Sequence, residues 1–404
     1  MKAESRKLAL VPASVRSEAL RAMADELEEG MEKVLRANCE DLEAAEAGGL
    51  EEKRIRIMTI SEENLAEMVS FLRTCADYAD PVGSLVSAEY KPNGLKREKR
   101  LVPLGVVAMV YEARPTVVTD SAALCIRTGN ALLLRCSSHC RLTDRTIVEC
   151  LCRGLRKSGL PEAAICLMSE GDYQLTYELA WEDRFVDLMI VRGGYDALRD
   201  IKEKATVPVI GAGPGNCHVY IDAEADPAMA EAIVMNSKVP RPLACNAIET
   251  VLVHREWAAV HLKELLEKLE LAGIAIRGCP ETVRLYPNAS PAAESDWEKE
   301  YFAPILAVRI VSDVSEAIEH INRYRTPHTE SIITENRENA ERFLTEVEAN
   351  VVCHNASTRL TDGMEFGLGG EMGISTQKYP CGGPVGMRSL MQEKYYLLGN
   401  GNLR

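Results

Sequence analysis

Apolar positions over the first 80 residues recur at helical spacing, as in SEALRAMADELEEGMEKVL, and predict a run of helices rich in Ala, Glu, Leu and Arg. At Ser84 the pattern breaks. The stretch SLVSAEYKPNGLKREKRLV sets two segments of mixed polarity around Pro92-Asn93-Gly94, a turn signal, and predicts a protruding β-hairpin over 84–102. From Leu104 short β-branched runs alternate with longer amphipathic ones: GVVAMVYE, ALLLR, AAICLM, VDLMIV and VPVI are separated by helix-like stretches. Strands alternating with helices predict a parallel sheet covered on both faces. After Asp222 the alternation restarts with DPAMAEAIVMNSK, where Asp226 is placed to cap a helix and Pro227 to open it.

At 404 residues the chain exceeds one ordinary core. The pattern divides it into an α/β domain over 1–225 from which the hairpin protrudes, a second parallel-sheet domain over 226–378, and a Gly-rich return segment over 379–404 that rejoins the first domain or the hairpin. Hydrophobic residues at 46% and charged residues at 27% describe a globular protein, not a disordered one. A net charge of −14 opposes the phosphate neutralisation on which nucleic-acid binding rests. An anionic ligand must therefore meet a local positive site. No run approaches the about 18 apolar residues of a membrane span, and MKAESRKLALVPASVRSEAL has no apolar stretch of signal-peptide length. The expectation is a cytoplasmic protein, whose 13 cysteines are reduced thiols.

Several short motifs invite chemistry. GAGPG at 211–215 lacks the G-x-G-x-x-G spacing and lies between the strand-like runs VPVI and HVYID, where a dinucleotide fingerprint needs a following helix; it reads as a turn. Arg192-Gly193-Gly194, between VDLMIV and the helix-like YDALRDIKEK, is either a phosphate-binding helix start or a bare strand-to-helix turn. CSSHC at 136–140 and the pair Cys150 and Cys152 fall short of the roughly four convergent ligands of a zinc site and read as structural. Cys353 and His354 are neighbours on a strand and point to opposite faces, so they read as core. Cys245, in RPLACNAIETVLVH, follows a helix and a turn held by Pro240 and Pro242, and leads into an apolar strand. A thiol on so rigid a connector can meet backbone amides that favour thiolate. Spacing alone leaves a buried structural thiol equally open.

Three stretches settle more when taken together. Leu104 to Arg135 (LGVVAMVYEARPTVVTDSAALCIRTGNALLLR), Asn236 to His254 (NSKVPRPLACNAIETVLVH) and Asn355 to Lys378 (NASTRLTDGMEFGLGGEMGISTQK) closely resemble γ-glutamyl phosphate reductase, an aldehyde-dehydrogenase-like family of proline biosynthesis. The likeness runs in order along nearly the whole chain. It implies two Rossmann-like domains with a hairpin that joins subunits of a homo-oligomer, and reduction of the acyl phosphate L-glutamyl 5-phosphate by NADPH. By position Cys245 matches the family's nucleophile. No ELGGK motif, which would supply a base for thioester hydrolysis, is present, and GAGPGNCHVYID stands there instead.

The other roles follow from the same likeness. Glu300 in EYFAP resembles the glutamate that holds the nicotinamide ribose in EIFGP. Arg135, Arg192, Gly193 and Gly194 are the remaining cofactor candidates, Arg135 for the 2′-phosphate. Asn246 with backbone amides near Cys245 is a candidate for the developing oxyanion, with Thr116 where the family's ESRPN carries asparagine. Arg114, Arg241, Ser357, Thr358 and Arg359 are candidates for the substrate's phosphate and carboxylate. His218 reads as core. The family's LRGG and KLHARGP are here Leu134-Arg135-Cys136-Ser137 and KYPCGGP. These departures keep open an acylating dehydrogenase with another acyl donor, and a catalytically silent homologue.

Overall fold

A computed structural model of the chain describes residues 1–168 and 173–404, which divide into two compact units. The first comprises 1–212, 367–373 and 384–404; the second comprises 213–366 and 374–383.

The first unit begins with the expected helices, α1 (Lys2–Leu8), α2 (Ala13–Glu29), α3 (Met31–Ala47), α4 (Glu52–Met58) and α5 (Glu62–Asp77). Ser61 and Asn64 close a reciprocal capping box at the start of α5. The hairpin follows as β1 (Leu85–Tyr90) and β2 (Lys96–Pro103), antiparallel with Tyr90 opposite Lys96. The C-terminal strand Met391–Leu398 pairs antiparallel along the other edge of β2, making a three-stranded sheet. Both outer strands are largely solvent-exposed.

Alternation then gives β3 (Val106–Tyr111), α6 (Thr116–Arg127), β4 (Ala131–Arg135), α7 (Arg141–Lys157), β5 (Ile165–Leu167), α8 (Tyr173–Ala180), β6 (Leu188–Arg192), α9 (Tyr195–Lys204) and β7 (Val209–Ala212). The five strands are parallel in the order β5-β4-β3-β6-β7. Numbered within the unit this is 3-2-1-4-5, the doubly wound order in which ligands bind where the winding reverses, between β3 and β6. Every residue of β3 is buried; Val106, Ala108 and Val110 face a core with Met189, Val191 and Ile201.

The second unit runs β8 (Cys217–Ile221), α10 (Pro227–Lys238), β9 (Ile248–His254), α11 (Arg255–Leu271), β10 (Ala275–Gly278), α12 (Pro280–Leu285), β11 (Ser290–Pro291), β12 (Ile305–Val311), α13 (Val314–Tyr324), β13 (Thr329–Ile333), α14 (Arg337–Glu346) and β14 (Val351–His354). Seven parallel strands lie in the order β11-β10-β12-β9-β8-β13-β14. Their period-2 alternation sends Val219 and Val251 into one layer with Leu262 and Leu266, and Tyr220 and Leu252 into another with Ile318 and Phe343. Full burial of each such side chain contributes about 1.5–3 kcal/mol. Asp226 caps α10 by accepting from the Met229 amide at 2.7 Å, and Pro227 opens the helix; such a cap contributes about 1 kcal/mol.

The division falls at 212/213, not near 225. β8 is hydrogen-bonded between β9 and β13, so 213–225 goes with the second sheet. The return segment also divides, since 379–383 belongs to the second unit and 384–404 to the first. GAGPG ends β7 with Gly211 and Ala212 and continues as the connection to β8, with no helix after it, as its spacing predicts. His354 is exposed and Cys353 only half-buried, against the core reading; they end β14 at the sheet edge.

Candidate active site

Cys245 sits in the connection between α10 and β9. Pro240 and Pro242 each restrict φ, and two turns complete the loop: the Ala244 amide donates to the Arg241 carbonyl at 3.1 Å and the Ala247 amide to the Ala244 carbonyl at 2.9 Å. The loop's ends are tied by an ion pair, Lys238 Nζ to Glu249 Oε2 at 2.7 Å, with side chains 0% and 1% exposed. Burial is the largest influence on both groups, lowering the Lys238 pKa and raising that of Glu249 to about 7. Such a pair fixes geometry more than it adds stability.

Four strand-entry segments of the second sheet carry the surroundings. Gly215 precedes β8, Cys245 precedes β9, Glu300 lies ahead of β12 and His328 precedes β13. Cys245 is half-buried. Gly215 passes so close that a Cβ there would stand 1.7 Å from the Cys245 carbonyl oxygen. The Gly215 amide donates to Glu300 Oε1 at 3.0 Å. Asn216 anchors the same segment: its amide donates to Thr326 Oγ1, and its Nδ2 donates to the Trp297 and Tyr324 carbonyls, each at 2.8 Å.

Three of the expected residues are hydrogen-bonded within the second unit. Asn246 Nδ2 donates to the Thr361 carbonyl at 3.0 Å and the Arg359 carbonyl at 3.5 Å. Thr358 Oγ1 donates to the Asn246 carbonyl at 2.7 Å, and Ser357 Oγ pairs with Ser237 Oγ at 2.9 Å while accepting from the Arg359 amide. Both residues are buried. Arg241 is exposed on the loop and Arg359 is half-buried. His218 is fully buried against Glu330, Nδ1 to Oε2 at 2.9 Å, as a core histidine.

In the first unit, Arg192 ends β6 and Gly194 is the N-cap of α9, with no side chain bonded to the cap. Arg114 and Thr116, both half-buried, stand at the turn from β3 into α6, beside Ala113 with φ of 48°. One turn into α6 lies Asp120, whose carboxyl is pushed up to about 7 by burial, with the Arg192 guanidinium acting in the opposite direction. It was legible only as the lone acid in TVVTDSAALCIR.

A cleft of about 500 Å³ opens at the carboxyl ends of β4 and β5. Arg135, Arg141 and Arg145 line it with Ser137, Ser138 and Cys136. Ser137 Oγ is buried with no hydrogen-bond partner among the described residues. Three guanidiniums, two hydroxyls and the start of α7 make a donor set for a phosphate ester, and the position fits the adenosine end of a dinucleotide bound at this sheet. Sequence reading reached Arg135 but missed Arg141 and Arg145, four residues apart on one helix face. It also missed Gly215 and the Lys238–Glu249 pair.

A cysteine loop on one parallel sheet and an arginine-lined cleft on another fit an aldehyde-dehydrogenase-type oxidoreductase, and the chain matches the aldehyde dehydrogenase family over residues 1–275 and 288–380. It is 44% identical to the γ-glutamyl phosphate reductase of Moorella thermoacetica over 400 residues, covering 99% of this chain and 96% of that one. The Bacillus subtilis γ-glutamyl phosphate reductase is 43% identical over 389 residues, covering 96% and 94%. The crystal structure of γ-glutamyl phosphate reductase from Thermotoga maritima superposes with a TM-score of 0.95 at 36% identity, covering 100% of this chain and 97% of that one. The chain belongs to the aldehyde dehydrogenase family and, within it, to the γ-glutamyl phosphate reductases. Membership implies a nicotinamide cofactor.

Proposed function

We propose that this chain reduces L-glutamyl 5-phosphate to L-glutamate 5-semialdehyde and phosphate, with Cys245 as nucleophile and NADPH as reductant. The observation that carries the reading is the braced loop presenting Cys245, in a segment that also matches the family's nucleophile. The thiolate attacks the acyl carbon, the bond to the phosphate oxygen breaks, and phosphate leaves with that electron pair. A thioester remains. Bound NADPH supplies the hydride that reduces it. The anionic thiohemiacetal that results collapses, re-forming the carbonyl as its carbon–sulfur bond breaks, which releases the aldehyde and restores the thiolate. Backbone amides of the cysteine loop stabilise the oxyanion, since the Asn246 side chain is committed elsewhere. Arg241 and Arg359 supply charge for the substrate's anionic groups.

Arg135, Arg141 and Arg145 favour the 2′-phosphate of NADPH over NADH. Exposed Leu85, Val86 and Tyr90 on β1, with Leu397 and Leu398 on the C-terminal strand, support pairing with a second copy of this chain.

Run in reverse, the protein with L-glutamate 5-semialdehyde, phosphate and NADP⁺ is expected to generate NADPH, and Cys245→Ala to abolish the signal. No turnover by the wild type, or an undiminished rate for Cys245→Ala, overturns the reading. Replacing phosphate by CoA tests for a different acyl acceptor, and NAD⁺ replacing NADP⁺ at an equal rate refutes the cofactor preference.

A further inference from the structure

Behind Cys245 lies a group of buried side chains that the reaction does not consume. Cys217 opens β8 at 0% exposure, and its Sγ donates to the carbonyl of Cys245 at 3.4 Å. The same sulfur lies 3.5 Å from His328 Nδ1, and that nitrogen lies 2.8 Å from Thr329 Oγ1. Thr329 Oγ1 donates to Thr361 Oγ1 at 3.0 Å. The Thr361 carbonyl accepts from Asn246 Nδ2 at 3.0 Å. The path leaves the nucleophile's own carbonyl, passes through four side chains drawn from three chain segments, and returns to the next residue.

The protons around this ring are determined by its members. The Thr329 hydroxyl donates to Thr361, so it accepts from His328, whose single proton on Nδ1 is shared between Thr329 Oγ1 at 2.8 Å and Cys217 Sγ at 3.5 Å. His328 Nε2 is left bare, buried and without a hydrogen-bond partner among the described residues. Burial lowers the His328 pKa to about 4 and raises that of the Cys217 thiol well above its usual value. Near neutral pH both are uncharged, and Cys217 keeps its proton to donate. Gly215 also packs against this carbonyl, since a Cβ there would stand 1.7 Å from its oxygen.

We propose that Cys217, oriented by His328, is a positioning residue for the reaction: the ring through Thr329, Thr361 and Asn246 holds the peptide that carries the Cys245 thiol in its reactive placement. The proposal rests on Cys245 being the nucleophile. A buried thiol donor suits the position because it is uncharged and redirects without adding a second competing nucleophile.

The test uses Cys217→Ala, His328→Leu and His328→Asn in the full chain, since the asparagine amide can replace the Nδ1–H donor. In the semialdehyde assay, Cys217→Ala and His328→Leu are expected to lower kcat by about tenfold or more, with KM changed by less than about twofold. Alkylation of Cys245 by iodoacetamide, followed by mass spectrometry of its peptide, slows in parallel. His328→Asn is expected to recover kcat to within about threefold of wild type. Wild-type kcat and alkylation rate in Cys217→Ala overturn the proposal. So does a loss in His328→Leu that merely tracks the folded fraction by circular dichroism, or His328→Asn faring no better than His328→Leu. If Cys217→Ala does not fold, the two His328 variants decide. Full activity of Cys245→Ala would instead overturn the nucleophile reading itself, whereas an inactive Cys245→Ala beside a wild-type Cys217→Ala overturns only the ring.

Discussion

Gly215→Ala isolates the placement of the proposed nucleophile, Cys245, with a single methyl group. Its Cβ would stand 1.7 Å from the Cys245 carbonyl oxygen and 3.3 Å from the Cys245 Cα, whereas real Cβ contacts stay above 3.0 Å. One side must give by more than about 1 Å, because interiors at crystal-like density leave no slack. The Gly215 side is fastened: its amide is bonded to Glu300, and Asn216 is anchored at Thr326, Trp297 and Tyr324. The Cys245 carbonyl, whose contact with the Cys217 thiol is 3.4 Å long, takes the displacement. A displacement of about 1 Å in a reacting group costs on the order of 10²-fold in rate. Overpacking of this kind costs about 1–3 kcal/mol, so the variant is expected to fold with a modestly lowered Tm. The measurement is kcat in the semialdehyde, phosphate and NADP⁺ assay, alongside thermal unfolding. A Gly215→Ala enzyme with kcat within about threefold of wild type would show that Cys245 tolerates displacement and would refute the steric argument.

Lys238→Met alone leaves Glu249 buried without its cation and is expected to cost about 3–5 kcal/mol, whereas Lys238→Met with Glu249→Leu is expected to restore most of that stability. Urea unfolding of the three proteins checks this, and a single variant within about 1 kcal/mol of wild type contradicts it. The Asp144 carboxyl, buried and accepting from Tyr111 Oη at 2.7 Å, is pushed up to about 7, chiefly by burial. The folded chain therefore holds a proton that the unfolded chain releases above about pH 4, so this group's contribution is complete at low pH and is lost as pH rises toward 7. The Tm of Asp144→Asn minus that of wild type is expected to increase from pH 5 to 8; a difference that does not change with pH refutes it. Taking the difference removes the opposite slope from His320 and His328, which burial lowers to about 2 and about 4.

How much of this was legible depends on how far apart in sequence the interacting partners lie. Asp226 with Pro227, the hairpin around Pro92-Asn93-Gly94 and the five strand runs of the first sheet are local patterns, and each formed where its spacing placed it. The boundary was misplaced because HVYID reads as a strand without stating its neighbours; only pairing with Thr250 and Glu330 assigns it to the second sheet. Ser357 and Thr358 looked like anion ligands because hydroxyls beside an arginine often are. Their partners Ser237 and Asn246 lie more than a hundred residues away, so these bonds leave no local signature. The same holds for Cys217. Nothing in GNCH indicates that its acceptor is the carbonyl of Cys245, the nucleophile proposed above. A motif identifies the reacting atom, since chemistry constrains its residue type. The groups that hold that atom still are constrained only in shape and proton count, so a buried thiol, a neutral imidazole and two hydroxyls can do the holding without leaving any local signature.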